Sequence, residues 1–343
     1  MFGPAAQAMA DSLGLSMGHA NLEAFADTLL SLAKADCRIL AVTSDSRGSG
    51  KLGPYGQALP KQIVEVGIAE QNLVGIAAGL SAAGKKAFAV SPACFLTARA
   101  LEQIKNDVCY SDVPAVIVGI SAGVSYGALG STHHSLHDLA ALRAIHNIAV
   151  VVPADNFETR AAVRAAAAAE HPVYLRFGKA PMPSIHHPDA AFEIGKAIVL
   201  REGADLAFIA TGETVVHALL AGGSLAEVGI ECRVISMHTI KPLDARTVID
   251  AGRECGAIIT IEEHSIHGGL GEACAAVLMQ AGISVPFQIV GVSDEDTVTG
   301  SQADIFQHYG ICMERLSQTA LALLNHSQPA PTDQPSPIKA VAL

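Results

Sequence analysis

Tryptophan is absent from this 343-residue chain, aromatic residues make up 4%, and only 16% of residues are charged. Soluble domains typically carry about 25% charged residues, and a mean hydropathy of +0.36 points the same way. Much of the surface is therefore expected to be buried, in part against another subunit. No Lys/Arg cluster is present, and 22 basic against 33 acidic residues leave a formal charge of −11. A nucleic-acid groove needs a basic stripe, so no nucleic-acid partner is expected. No apolar run approaches the roughly 18 residues of a membrane span, so no membrane partner is expected either. The first residues, Met1 to Met17, lack the basic start of a secretory signal and read as an extension ahead of a possible second start. The seven cysteines are odd in number and never spaced as C-x-x-C. Several sit in apolar runs, so buried free thiols are expected rather than disulfides or zinc. What remains is an acidic, cytoplasmic, soluble globular protein.

Two further absences narrow the chemistry. No G-x-S-x-G elbow exists for a serine nucleophile. Ser46-Arg-Gly-Ser-Gly-Lys51 has the look of a phosphate loop, but Asp45 stands where its first glycine is required and Leu52 replaces the Ser/Thr. Gly268-Gly-Leu-Gly271 likewise lacks the full dinucleotide frame, and a tight strand-to-helix turn accounts for it.

At roughly 150 residues per domain, this length suggests two domains, with ample chain for a core that needs no staples. Runs rich in Val and Ile alternate with Ala-rich helical stretches. Strands are predicted at 38–43, 63–66, 87–90, 115–120, 149–152 and 173–177, and helices at 22–35, 69–83, 97–108, 136–145 and 157–169. Strands this continuously apolar have both faces covered, which predicts an α/β fold of two parallel-sheet domains. Ala180-Pro-Met-Pro-Ser-Ile-His-His-Pro188 reads as a linker. Beyond it the alternation restarts, with strands at 205–210, 232–236, 257–262 and 287–290. The expected organisation is an extension over 1–19, domains over 20–182 and 189–325, and a Pro-rich disordered tail over 326–343.

The most informative stretch is Val64-Glu-Val-Gly-Ile-Ala-Glu70-Gln-Asn-Leu-Val-Gly-Ile-Ala-Ala-Gly79. A short strand ends and a helix begins at once, with Glu70 in its first turn. Sites of open parallel sheets lie beyond the carboxyl ends of strands, where Glu70 falls. An isolated Glu there would merely complement the helix dipole. Gly75, Ala77, Ala78 and Gly79 instead predict a helix that packs closely on another, so Glu70 enters a packed interface and needs a partner or a raised pKa.

A second stretch is Gly127-Ala-Leu-Gly130-Ser-Thr-His133-His134-Ser135-Leu-His137-Asp138. Ser135 and Asp138 are predicted to form a capping box for the next helix. That places His133 in the preceding loop, as a neutral hydrogen-bonding imidazole near the helix's positive end or as a loop histidine bonded to backbone. Zinc ligation by His133 and His137 is disfavoured, because the cap puts them on different elements and no Cys or carboxylate set completes a site.

Taken together, Val66-Gly-Ile-Ala-Glu70-Gln-Asn72, Cys94-Phe95-Leu-Thr-Ala-Arg-Ala-Leu-Glu-Gln-Ile104, Gly130-Ser-Thr-His133 and Val151-Val-Pro-Ala-Asp155 resemble the second half of transketolase. The similarity continues in Pro172-Val-Tyr-Leu-Arg176, Ser236-Met-His-Thr-Ile-Lys-Pro-Leu-Asp244 and Glu263-His-Ser-Ile-His-Gly-Gly-Leu-Gly-Glu272, and spans roughly residues 20 to 325. The resemblance implies a thiamine diphosphate enzyme that moves a two-carbon ketol unit from a ketose phosphate to an aldose phosphate. In it Glu70 would bond the cofactor's pyrimidine nitrogen, Phe95 would stack on that ring, and Asp45 would lie near the cofactor. His133 would hydrogen-bond the donor sugar, and Arg176 would hold its phosphate with a fixed fork of donors.

Two departures bear on the substrate. Leu129 stands where transketolases carry an Asp that contacts a sugar hydroxyl, and Ser121 where they carry a His. A product lacking that stereocentre, such as dihydroxyacetone phosphate, suits the change. A larger departure is the absence of the Gly-Asp-Gly that holds the diphosphate-bridging metal in the family. The resemblance therefore implies a separate N-terminal, diphosphate-binding subunit that holds Mg2+, in an α2β2 assembly. The β subunit of a 2-oxo acid dehydrogenase or decarboxylase is the same-fold alternative. A non-catalytic assembly module is the alternative from another class.

Overall fold

The computed structural model describes residues 2–187 and 189–327. Two mainly parallel sheets carry the fold. The first has seven strands in the order Thr239–Lys241, Ala149–Val151, Val173–Arg176, Val116–Ile120, Lys86–Pro92, Ile39–Thr43 and Ile63–Glu65. Its strands pair in parallel except for Thr239–Lys241, which runs antiparallel to Ala149–Val151. Adjacent residues of one strand point to opposite faces, and both faces are apolar. Ala41 joins the core beneath Asn21–Ala35 and Asn156–Ala168, while Val42 joins the core beneath Glu70–Ala82 and Asp138–Ala144.

The second sheet orders Phe287–Val292, Ile258–Ser265, Leu206–Ala210, Cys232–Ser236 and Ile198–Arg201, the last antiparallel. Thr239–Lys241 leaves this unit to extend the first sheet, so the two units share a strand-level seam. The Lys241 ammonium reinforces it by donating to the carbonyls of Arg143 and Ile145.

Several expectations give way. The helix predicted over 97–108 is broken at Ala100, with φ −107° and ψ 20°, into Ala93–Arg99, a short turn Leu101–Gln103 and a π-helix Ile104–Tyr110. The extension ahead of the first domain is itself ordered and packed. Pro4–Ser12 is a helix whose Ala6, Met9 and Ala10 enter the core of the second sheet. Gly223 makes room for it, since a Cβ there would lie 2.8 Å from Met9 Sδ. At the other end, Met313–Ser327 is helical through residue 327, and the rest of the expected tail lies outside the described residues. All seven cysteines are free, six of them buried and Cys37 exposed. Among the described residues no helix is long and apolar enough to cross a membrane.

The Pro-rich connection is anchored rather than loose. Pro181–Pro183 pairs antiparallel with Met17–Ala20. Just beyond, the fully buried His186 ring places Nδ1 3.0 Å from Asp155 and Nε2 2.9 Å from Glu158. Asp155 also caps helix Asn156–Ala168 by accepting from Glu158 N–H. Glu158 accepts from Ser236 Oγ on the second sheet, at 2.6 Å. Burial opposes charge on His186, but the two carboxylates outweigh it and hold the ring protonated up to about pH 10. That pKa lies above the ordinary histidine value, so the stabilisation is complete below about pH 6.5 and is lost as pH rises through 10. His186→Ala is expected to unfold more easily than wild type at pH 7. Thermal unfolding at pH 7 and pH 10.5 checks this, with the gap narrowing at the higher pH.

Candidate active site

Three of the residues picked from sequence, Glu70, Phe95 and His133, gather beyond the carboxyl ends of the first sheet's strands. Glu70 opens helix Glu70–Ala82 and is 5% exposed. Gly67, at φ 72°, turns the chain from strand to helix and so sets that position. The carboxylate accepts from Arg99 Nη1 at 2.9 and 3.0 Å. The same guanidinium lies over the Phe95 ring, 4.3 Å from its centroid. Phe95 in turn meets His133 edge-on, ring centres 5.2 Å apart. Glu70, Arg99, Phe95 and His133 thus form one contiguous wall.

Arg99 was missed from sequence, although its i, i+4 spacing from Phe95 on one helical stretch was a usable signal. Tyr126 was missed too, and packs edge-on to His133 at 5.4 Å. The Lys179 ammonium sits 4.6 Å from the centre of the Tyr126 ring, within cation–π range. Lys179 is exposed, and no carboxylate pairs with it among the described residues. It lies three residues beyond Arg176, where the chain leaves its strand, and that position was the legible clue.

Arg176 is placed differently. It is 5% exposed, and its Nε donates to the fully buried Asp138 at 2.8 Å. Its Nη2 donates to the carbonyls of Ser135 and Glu263, at 3.1 and 2.8 Å. The guanidinium therefore ties the His133 loop, the following helix and the second sheet together. The predicted capping box is absent for the same reason. Helix Asp138–Ala144 begins at Asp138 with no side-chain cap, because that carboxylate is taken by Arg176 and Tyr174 Oη. Burial opposes ionisation of Asp138, yet the Arg176 charge holds its pKa below the usual range.

The His133 loop is compact. His133 N–H donates to Gly130 O, and Nδ1 lies 2.9 Å from Thr132 Oγ1. His134 is buried against Gly127 O, and burial lowers its pKa. His137 turns away toward Thr97 Oγ1, at 3.3 Å, so the two flanking rings do not converge with His133. Gly127 must be glycine, with φ 50° and a would-be Cβ 2.4 Å from Gly300 O, which lets the loop rest on the second unit. Leu129 is 55% exposed on the short turn Gly127–Leu129. Ser121, at φ 52°, is fully buried and its Oγ lacks a hydrogen-bond partner. Asp45 is exposed in the left-handed region, φ 50°, and its N–H donates to Glu65 Oε1 at 2.6 Å. Glu65 Oε1 also accepts from Gly67 N–H, so it braces the approach to Glu70.

Comparison with known proteins identifies both units. Residues 18–183 match the transketolase pyrimidine-binding domain, and residues 195–316 match the transketolase C-terminal domain. The chain belongs to the transketolase family. One subunit of the apulose-4-phosphate transketolase of Phocaeicola vulgatus is 49% identical over 300 residues, covering 87% of this chain and 96% of that one. A subunit of 6-deoxy-6-sulfo-D-fructose transketolase from a Clostridium species is 35% identical over 298 residues, covering 87% and 92%. A solved structure described as a split-gene transketolase, inactive beta4 tetramer, matches with TM-score 0.82 and 36% identity, covering 91% of this chain and 100% of that one. The chain has the extent of the C-terminal subunit of a split transketolase, an enzyme class that depends on thiamine diphosphate.

Proposed function

We propose that this chain is the sugar-facing half of a two-subunit transketolase that takes a two-carbon ketol unit from apulose 4-phosphate, releases dihydroxyacetone phosphate, and passes the unit to an aldose phosphate. The observation that carries the reading is the continuous wall of Glu70, Phe95 and His133. Thiamine diphosphate, when bound, supplies the nucleophilic carbon that takes up the two-carbon unit. The chain's residues suit that group. Arg99 lies over Phe95 and against Glu70, where such a ring would sit, and must turn aside to admit one. Glu70, shielded from water, holds a proton toward the ring nitrogen, and Phe95 supports the ring face. Asp45 stands at the mouth of the same strand ends.

His133 hydrogen-bonds the sugar's hydroxyl groups, and Lys179 pairs with its phosphate from the adjacent Tyr126 face. Leu129 offers no hydrogen bond to a secondary hydroxyl, which suits a product without that stereocentre.

Mg2+ and the diphosphate fall to an N-terminal subunit, because this chain has no Gly-Asp-Gly. Helix Glu70–Ala82 offers the docking face. Gly79 has nothing within 4 Å of a would-be Cβ, and Gly75 has only Asp107 at 3.9 Å. Ile68 and Tyr110 beside it are 74% and 78% exposed. Small residues that contact little within the chain allow close approach by another, which supports an α2β2 assembly. Seven unpaired cysteines suit the cytoplasm.

Mixing this chain with its N-terminal subunit, thiamine diphosphate and magnesium should create ketol transfer that neither chain has alone. Turnover by this chain alone would overturn the reading, and turnover of 2-oxo acids would replace the substrate. Lys179→Ala is expected to raise KM for a phosphorylated donor roughly 10- to 100-fold, the worth of one charge-assisted hydrogen bond. An unphosphorylated donor should be nearly unaffected, and steady-state kinetics on both donors checks this.

A further inference from the structure

Two neighbouring strands of the second sheet, Leu206–Ala210 and Ile258–Ser265, each deliver one buried acid to the first unit. Glu213, on the turn just after Leu206–Ala210, is 5% exposed, and Glu263, near the end of Ile258–Ser265, is 3% exposed. They meet the chain where it leaves two neighbouring strands of the first sheet, Val116–Ile120 and Val173–Arg176. Glu263 Oε1 accepts from Val124 N–H at 2.9 Å, and a Cβ on Gly123 would collide with its carboxyl group. The Glu213 carboxyl group lies as closely on Gly178, where a Cβ would strike both oxygens. Only glycine allows either approach. Gln302 Nε2 spans the pair, donating to Glu263 Oε1 at 2.8 Å and to Glu213 Oε2 at 3.3 Å. Burial and the neighbouring Glu263 hold Glu213 above the usual carboxylate range, so the two acids do not sit together as two full charges.

Each contact falls beside a residue of the donor site. Gly178 immediately precedes Lys179, whose ammonium faces the Tyr126 ring. Val124 shortly precedes Tyr126, and its carbonyl accepts from Gly127 N–H at 2.8 Å. The Gly123 carbonyl accepts from Ser135 N–H at 2.8 Å, so Glu263 grips the His133 loop where its two ends meet. Joining two units needs no acid, because apolar contacts do so without the cost of desolvating one. Both acids instead meet backbone next to residues that face the donor.

We propose that Glu213 and Glu263, joined by Gln302, are positioning residues of the donor site. Glu213 holds Lys179 where it meets the donor phosphate, and Glu263 holds Tyr126 and His133 where the sugar lies. This assignment rests on the proposed contacts of Lys179 and His133 with the donor.

Hydrogen exchange read by mass spectrometry on the full chain tests the positioning without any transfer. Glu263→Ala should speed exchange over residues 123–135 and Glu213→Ala over residues 177–180, with the strands of the first sheet unchanged. In the reconstituted two-subunit enzyme, Glu213→Ala should raise KM for a phosphorylated donor roughly 3- to 10-fold at near-constant kcat. An unphosphorylated donor should be spared. Added to Lys179→Ala, the Glu213→Ala change should have no further effect, because both act through one contact. Glu263→Ala should lower kcat for both donors and add nothing to His133→Ala. Unchanged exchange in both segments, or effects of Glu213→Ala and Lys179→Ala that simply multiply, would overturn the proposal. Locally faster exchange with a Lys179→Ala enzyme of normal KM would uphold the positioning and refute the phosphate contact. Should an alanine variant at either acid misfold, Gln302→Ala, at a half-buried residue, must show both effects in weaker form. A Gln302→Ala protein with wild-type exchange and kinetics would then sink the idea.

Discussion

Reconstituted with its partner subunit, thiamine diphosphate and magnesium, the Glu70→Gln protein is expected to lose ketol transfer by roughly a thousandfold, within the range of a proton-transfer group. The amide keeps the shape of the carboxyl group but cannot hold a proton at the ring nitrogen. Stability should barely change, because the partner left behind, Arg99, is 48% exposed and can be solvated. Loss of activity with an unchanged melting temperature therefore separates a chemical role from a structural one. Single-turnover kinetics with saturating cofactor gives the measurement. A Glu70→Gln enzyme within tenfold of wild type would remove Glu70 from the chemistry.

The largest stability effect is expected at Arg176. Arg176→Leu strands Asp138 at 0% exposure with Tyr174 Oη as its remaining hydrogen-bond donor among the described residues and His264 Nε2 4.0 Å away. Breaking a buried pair from one side typically costs about 3–5 kcal/mol, and the carbonyls of Ser135 and Glu263 lose their donor as well. The urea midpoint should fall accordingly. The kinetic signature should differ from that of Lys179→Ala. Loosening the His133 loop lowers turnover for phosphorylated and unphosphorylated donors alike, whereas loss of a phosphate contact raises KM for one only. A stable Arg176→Leu protein with a phosphate-specific KM defect would reverse the assignments of Arg176 and Lys179.

Glu70, Phe95 and His133 could be picked out because each follows a strand and sits in a short, distinctive motif. In a parallel sheet, the residues leaving each strand arrive at the same edge as those leaving its neighbours. Their mutual contacts involve residues far apart in sequence, so Arg99, which bridges Glu70 and Phe95, had no local mark beyond its helical spacing. Arg176 and Lys179 show the limit more sharply. Both are cations near the end of strand Val173–Arg176, and three residues decide that one is buried on Asp138 while the other reaches Tyr126. Ser135 and Asp138 had the spacing of a helix cap, but a buried guanidinium competes for the Asp138 carboxylate and wins.

The alternation of strands and helices in two units, the mainly parallel character of both sheets and the family were legible in the sequence, because they rest on local periodicity and on short motifs that neighbouring residues satisfy. Tertiary structure alone decided that Pro4–Ser12 covers the second sheet, that Thr239–Lys241 extends the first, and that His186 pins the connection between them. It also decided that Arg176 is buried on Asp138 while Lys179 faces the Tyr126 ring. These are outcomes of long-range competition for burial and for hydrogen bonds, and no window of neighbouring residues contains all the competitors.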